Sequence, residues 1–219
     1  MNGTRFTDRA DAGRRLAARL VGMTLDRPVV YALPRGGVPV GFEIARALHA
    51  PLEVVLVRKI GAPGAPELAL GAVVDGATPQ TIINPDVRRM TGADRAYIER
   101  ARERELEEIE RRRPLYALGR PPLSPAGRTA IVVDDGLATG ATAMAAIRAL
   151  KASGADQVVL AVPVAPADRL EAFRAEADVI VCLEPALRFA GVGGFYDDFH
   201  QLSDAETIDL LRRSSTAPA

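Results

Sequence analysis

Two adjacent carboxylates, Asp134 and Asp135, stand between an apolar run (Ala130, Ile131, Val132, Val133) and a loop of small residues that ends at Thr142. Helical spacing follows in AMAAIRALKAS. A strand-to-helix loop of this composition aims backbone N–H groups and the positive end of a helix dipole at an anion, usually phosphate. Carboxylates cannot ligate phosphate, so Asp134 and Asp135 must hold hydroxyls or a cation. One site then grips a phosphate and a polyol together, the two features of a sugar phosphate. Two other stretches add cations. Pro34-Arg35-Gly36-Gly37 offers glycine amides beside a guanidinium suited to a bidentate grip on phosphate or pyrophosphate. Arg58-Lys59 offers two positive charges in succession.

These residues need elements to position them. Thr7 is the expected N-cap, with Asp8 in the first turn, of a helix running to about Val21. VVYAL (Val29 to Leu33) reads as a buried strand, Val38 to Leu48 as a helix, and LEVVLV (Leu52 to Val57) as a second strand ending at Arg58-Lys59. That spacing is a βαβ unit and predicts parallel pairing. Ile60 to Pro66, IGAPGAP, is expected to hold neither helix nor strand, as a linker or a mobile lid. Ala69 to Val74 and Thr81 to Asn84 read as short strands, paired as a hairpin around Asp75-Gly76.

Asp94 to Arg113 reads as a charged helix with a thin apolar stripe (Ile98, Ala101, Leu106, Ile109) and favourably ordered pairs Glu107–Arg111 and Glu108–Arg112. It is expected to pack by one edge or to touch another subunit, and to stop at Pro114. A Pro-rich connector, Arg120 to Gly127, leads to the acidic motif. Gln157 to Val164 and Ala177 to Leu183 read as strands around a helix at Ala167 to Glu176. Arg188 to Gln201 breaks the pattern, and Ser203-Asp204-Ala205-Glu206 is a capping box opening a last helix to about Arg212. The tail from Ser214 is expected to fray. With no internal repeat and one core in view, a single domain over residues 1–219 is expected. Its core is about 25–185 with a helical insertion at about 86–120, and residues of about 186–213 join the N-terminal segment as a cap.

Composition narrows the function classes. Lys+Arg and Asp+Glu both count 28, so nothing like the basic face of a non-specific nucleic-acid binder stands out. The single cysteine, Cys182, has no intrachain partner and reads as a small buried hydrophobe; there is no metal-spaced Cys/His set. No signal peptide and no run of apolar residues long enough for a membrane span is present, so a cytoplasmic location is expected. The loop lacks the lysine of a P-loop, and no Gly-x-Gly-x-x-Gly dinucleotide fingerprint occurs.

The string IVVDDGLATGAT closely resembles the motif by which type I phosphoribosyltransferases bind phosphoribosyl pyrophosphate. Pro34 to Gly37 falls where that family has its pyrophosphate loop. Arg58-Lys59 falls where several members begin a flexible catalytic loop, and Val192 to Phe199 lies in the C-terminal hood that holds the acceptor. From about residue 5 to 212 the chain resembles a bacterial group with an Arg-Lys-x-Gly-x-Pro loop and a Tyr-x-Asp-Phe hood. The resemblance implies the type I α/β fold, an open and mainly parallel sheet flanked by helices. It implies transfer of a phosphoribosyl group to a nucleobase-like acceptor with Mg²⁺ as cofactor, in a homodimer.

Residue by residue, Asp134 and Asp135 would hold the ribose hydroxyls, directly or through Mg²⁺. Leu137, Ala138, Thr139, Gly140, Ala141 and Thr142 would bind the 5-phosphate, and Arg35, Gly36 and Gly37 the pyrophosphate. Lys59 and Arg58 would neutralise the leaving group. Phe195 or Tyr196 would stack on the acceptor, with Asp197 or Asp198 touching the metal. Two departures matter. Ala138 stands where transferases for 6-oxopurines carry an aspartate, which points toward adenine- and orotate-type loops. No basic residue follows Lys59 before Arg88, and Glu67 lies in that interval, where it could orient Arg58, Lys59 or a metal. Two other readings of the same site remain: a non-catalytic sensor of phosphoribosyl pyrophosphate or a nucleotide, and a hydrolase or phosphorylase of nucleotide N-glycosidic bonds.

Overall fold

The computed structural model describes residues 5–76, 79–116 and 121–215. In chain order the first elements are α1 (Arg9–Leu20), β1 (Val29–Ala32), α2 (Gly37–Leu48) and β2 (Leu52–Val54). Next come β3 (Val57–Ala62), β4 (Ala65–Val74), β5 (Gln80–Ile83), α3 (Pro85–Thr91) and α4 (Arg95–Tyr116). The chain ends with β6 (Thr129–Val133), α5 (Ala141–Ala152), β7 (Gln157–Pro166), α6 (Ala167–Phe173), β8 (Val179–Ala186) and α7 (Asp204–Ser215).

Five strands form a sheet in the order β2-β1-β6-β7-β8, with every pairing parallel. Their near-continuous apolar sequences follow from burial on both faces. Val29, Tyr31, Val132 and Leu160 pack against Ala146, Ile147 and Leu150 of α5 on one side. Val30, Ile131, Val133 and Val159 pack against Leu16 and Leu20 of α1, Ile44 of α2 and Leu211 of α7 on the other. The chain steps from β1 to β2 in one direction and from β6 to β7 to β8 in the other. The strand order therefore reverses between β1 and β6. Ligands in open α/β sheets collect at the carboxyl ends of the strands flanking such a point. The loops that emerge there are 34–37 and 134–140.

The stretch after β2 departs from expectation. Leu52 to Val57 is not one strand: β2 ends at Val54, and Val57 starts a three-stranded antiparallel sheet, β3-β4-β5. IGAPGAP, expected to be irregular, supplies the end of β3, a turn at Pro63-Gly64 and the start of β4. Pro and Gly here are turn residues, and the flanking strands are held by tertiary packing that composition does not reveal. Alternation from Ala72 to Val74, with a register shift between Gly71 and Ala69 that puts Leu70 on the side of Val73, explains the packing. Ala72 and Val74 face the cluster around α5, whereas Leu70 and Val73 face Ile98, Ala101 and Ile109 of α4. That second cluster corrects the expectation of one core.

Helix α4 uses the expected stripe, but it runs through Pro114 to Tyr116 instead of stopping there. Arg111 pairs with Glu108, not Glu107, and Arg112 also pairs with Glu108. The N-cap of α1 is Asp8, one residue after Thr7, and its side chain accepts from the Asp11 amide at 2.7 Å. The capping box is as expected: the Ser203 amide donates to Glu206 at 2.9 Å and the Glu206 amide donates to the Ser203 hydroxyl at 3.2 Å. Helix α7 reaches Ser215; the rest of the tail, Arg120 and part of the loop after Asp75-Gly76 lie outside the described residues. No helix among the described residues is long and apolar enough to cross a membrane.

Candidate functional site

Asp134 follows directly on the buried end of β6, and the loop after it lines a cavity of about 190 Å³. Asp134, Gly136, Leu137 to Ala143 and Val192 form its walls. Gly140 caps α5 in the left-handed region (φ 73°), a conformation that glycine adopts at no steric cost. Ala138, Thr139, Ala141 and Thr142 line its open side. Thr139, Ala141 and Thr142 are exposed, so their polar groups are accessible. Leu137 is different. Its side chain is 2% exposed in the core and its amide donates to the Val164 carbonyl at 2.9 Å. The structure thus withdraws the Leu137 amide from the phosphate-binding set, since the amide is already spent on β7.

The loop at 34–37 lies against the same edge. The Leu33 amide donates to the Val133 carbonyl at 2.9 Å, tying β1 to β6 just before both loops begin. A β-carbon at Gly36 would fall 2.0 Å from Oδ2 of Asp135, so only glycine fits there. The Pro34–Arg35 peptide is cis. The Gly37 amide donates to the Leu33 carbonyl at 2.9 Å, which closes the turn into α2 and takes that amide from any ligand. The Arg35 guanidinium lies 3.8 Å from Asp204, whose carboxylate also accepts from the Tyr116 hydroxyl at 2.7 Å.

The two aspartates are coupled but unlike. The Asp135 amide donates to Oδ1 of Asp134 at 2.9 Å. Burial pushes both carboxyls up from their ordinary range, and the neighbouring Asp135 charge raises Asp134 further. Asp135 is partly relieved by Arg9, whose Nε donates to Oδ2 at 2.8 Å. Sequence reading missed Arg9. It is 8% exposed, at the first position of an amphipathic helix, and its Nη1 also donates to the His200 carbonyl at 2.9 Å. The Phe199 ring lies 3.9 Å beneath the guanidinium. An arginine at that helical position looks from the sequence like one more surface charge.

The cap over the site joins both chain ends. The Phe6 amide donates to the Phe195 carbonyl, and the Asp197 and Asp198 amides donate to the carbonyls of Phe6 and Thr7, each at 2.9 Å. Tyr196 is 2% exposed, packs 5.3 Å from the Phe6 ring and 5.0 Å from the Phe199 ring, and donates its hydroxyl to the Asp135 carbonyl at 2.6 Å. Its ring faces are therefore taken, which removes it from a stacking role. Phe195 is half-buried and stacks on Phe189 at 5.8 Å. Asp197 pairs with Arg5 at 2.6 Å, and Asp198 bonds His200 at 3.0 Å. Among the described residues no group of three or more Asp, Glu, His or Cys is placed to hold a metal ion.

Arg58 and Lys59 do not sit at a carboxyl end of the parallel sheet. Both lie within β3, opposite Val73 and Ala72 of β4. Arg58 pairs with Glu105 of α4 at 3.1 Å, and Lys59 pairs with Glu67 at 3.2 Å. Cys182 sits half-buried on β8, its thiol pushed up to about 11 by burial, as suits an inert core residue.

A parallel sheet with an acid pair and a loop of small residues at its reversal point defines an α/β protein with a cavity at the carboxyl ends of its central strands. The comparisons name the class more closely. The phosphoribosyl transferase domain model matches residues 4–200, and the chain belongs to that family. Two Mycobacterium tuberculosis proteins provisionally named phosphoribosyl transferases, MT0597 (strain CDC 1551) and Rv0571c (strain H37Rv), are each 47% identical over 209 residues, covering 95% of this chain. The chain spans about half the length of these curated relatives, 47%. The crystal structure of TT1426 from Thermus thermophilus matches with a TM-score of 0.86 and 42% identity, covering 96% of this chain and 99% of that one.

Proposed function

We propose that this chain transfers the 5-phosphoribosyl group from phosphoribosyl pyrophosphate to a nitrogenous, nucleobase-like acceptor and releases pyrophosphate. The observation that carries this reading is the shared cavity of about 190 Å³, which has Asp134 at one end and Ala138 to Thr142 around it. A carboxylate suits ribose hydroxyls, and the exposed Thr139 and Thr142 hydroxyls with the start of α5 suit the 5-phosphate. Arg35 and the Gly36 turn, which touches Asp135, adjoin the same edge and suit the diphosphate. Phe195 offers the half-exposed ring for a flat acceptor.

In this reaction the C1–O bond to pyrophosphate breaks as a C1–N bond forms, and the acceptor nitrogen releases its proton to solvent. Positive charge develops at C1 and negative charge on the departing pyrophosphate. The chain contributes by holding the ribose with Asp134 and Asp135, by excluding water beneath the cap, and by offering Arg35 to the leaving group, whereas Arg58 and Lys59 reach it only after leaving Glu105 and Glu67. Asp134 and Asp135 fit a Mg²⁺ that needs only one or two carboxylates because it arrives with diphosphate oxygens. When bound, such an ion neutralises charge on the pyrophosphate.

The pairing of Arg58 with Glu105 and of Lys59 with Glu67 favours one second reading, a sensor that binds the donor without turning it over. Pyrophosphate release, measured with a panel of nucleobases and Mg²⁺, separates the readings. Release with one base supports the transferase and names its acceptor. Binding of the donor with no release from any base supports the sensor. Ribose 5-phosphate formed from a nucleotide would instead establish glycosidic-bond cleavage.

A further inference from the structure

We propose that Arg9 is a positioning residue that fixes Asp135 for the ribose hydroxyls and ties that carboxylate to the cap. This rests on the reading of Asp134 and Asp135 as the ribose-holding pair. The geometry is specific. Arg9 reaches Asp135 across 126 positions in the chain and the His200 carbonyl across 191, so one guanidinium joins α1, the β6–α5 loop and the C-terminal segment. Its remaining freedom is removed by the Phe199 ring at 3.9 Å. Side-chain exposure is 9% for Arg9 and 14% for Asp135, so water competes weakly with this contact. A planar guanidinium carries its donors on separate nitrogens in fixed directions, so Nε and Nη1 bond the two partners at once, whereas an ammonium offers all its donors from one point.

The contact also makes the two acids unequal. Arg9 engages Oδ2 of Asp135, the oxygen that closes on Gly36, and leaves Oδ1 for a ligand hydroxyl. The Tyr196 hydroxyl holds the carbonyl of the same residue at 2.6 Å, so backbone and side chain of Asp135 are both fixed from the cap side. Asp134 accepts the Asp135 amide and lines the phosphate cavity. The division of labour is therefore Asp134 toward the phosphate side and Asp135 toward the cap side, with Arg9 holding the second. An acid placed this way discriminates hydroxyl from hydrogen, because a missing hydroxyl leaves a held carboxylate oxygen without its partner.

The test is the ratio of affinities for ribose 5-phosphate and 2-deoxyribose 5-phosphate, by calorimetry with Mg²⁺ present, together with the affinity for inorganic phosphate. The unaltered protein is expected to prefer the ribose form by about tenfold or more. Arg9→Met is expected to reduce the preference to about twofold or less while phosphate affinity stays within about twofold. Arg9→Lys keeps the charge but loses the fixed fork of donors, and is expected to fall between. A preference in Arg9→Met equal to that of the unaltered protein overturns the proposal. If Arg9→Met does not fold, an unchanged preference in Arg9→Lys overturns it. No preference in the unaltered protein would overturn the ribose-holding reading itself, and this inference with it.

Discussion

The β6–α5 loop and the β3–β4 hairpin both carry residues suited to a diphosphate ester, yet they are built in opposite ways. The first lies at the reversal point of the parallel sheet, anchored by the Leu137 amide on Val164, by Gly140 at the start of α5, and by Arg9 and Tyr196 on Asp135. Its backbone and its acid pair are fixed by contacts within the chain. The second carries its cations on an antiparallel strand, with Arg58 held by Glu105 of α4 and Lys59 held by Glu67. Those pairs are partly exposed, and Glu67 is 97% exposed, so the contacts are weak and exchangeable. On the proposed reading, the contrast separates a region preorganised for binding from one whose charges must change partners before they can act on a leaving group.

Two variants sharpen this comparison. The larger effect is expected from Arg58→Ala combined with Lys59→Ala. Turnover should fall by roughly a hundredfold or more, the usual scale for losing charge stabilisation of a transition state. Donor affinity should change by only a few-fold, and stability by no more than about 1 kcal/mol, because the lost ion pairs are partly exposed. Steady-state kinetics beside donor titrations would read both; equal loss in affinity and turnover would erase the distinction between the regions. The smaller effect is expected from Thr139→Val. Loss of one neutral hydroxyl contact, about 1 kcal/mol, should weaken any 5-phosphorylated ribose by about fivefold and leave turnover at saturation nearly unchanged.

The same contrast explains what could be read from the sequence. A buried strand, an acid pair, a small-residue loop and a helix are contiguous, so Thr129 to Thr142 announces its local geometry through composition alone. The βαβ spacing likewise gave the parallel sheet, and Ser203 to Glu206 gave the start of α7. The hairpin misled because IGAPGAP lacks strand-forming side chains; its pairing is set by Leu70 and Val73 against α4 and by Ala72 and Val74 against the α5 cluster, all non-local. Pro114 misled because α4 is held beyond it by Tyr116, which packs against the core and bonds Asp204. Arg9, Tyr116–Asp204–Arg35 and Arg58–Glu105 were illegible for one reason: each joins residues 47 to 191 positions apart. Tyr196 looked like a ligand platform, and became a buried strut only once Phe6 and Phe199 were seen on its two sides.

The central claim is that Asp134 and Asp135 bind the ribose of phosphoribosyl pyrophosphate. Calorimetric titration of that donor with Mg²⁺ into the unaltered protein and into Asp134→Asn/Asp135→Asn tests it most directly. Asparagine preserves shape and relieves two carboxyls that resist burial, but it leaves the buried Arg9 guanidinium without its anionic partner, so a melting curve is recorded beside the titration to establish that the variant is folded. The account predicts a drop in affinity of roughly a hundredfold or more, from two charged hydrogen-bonding groups. A folded double variant that binds the donor as tightly as the unaltered protein would contradict it.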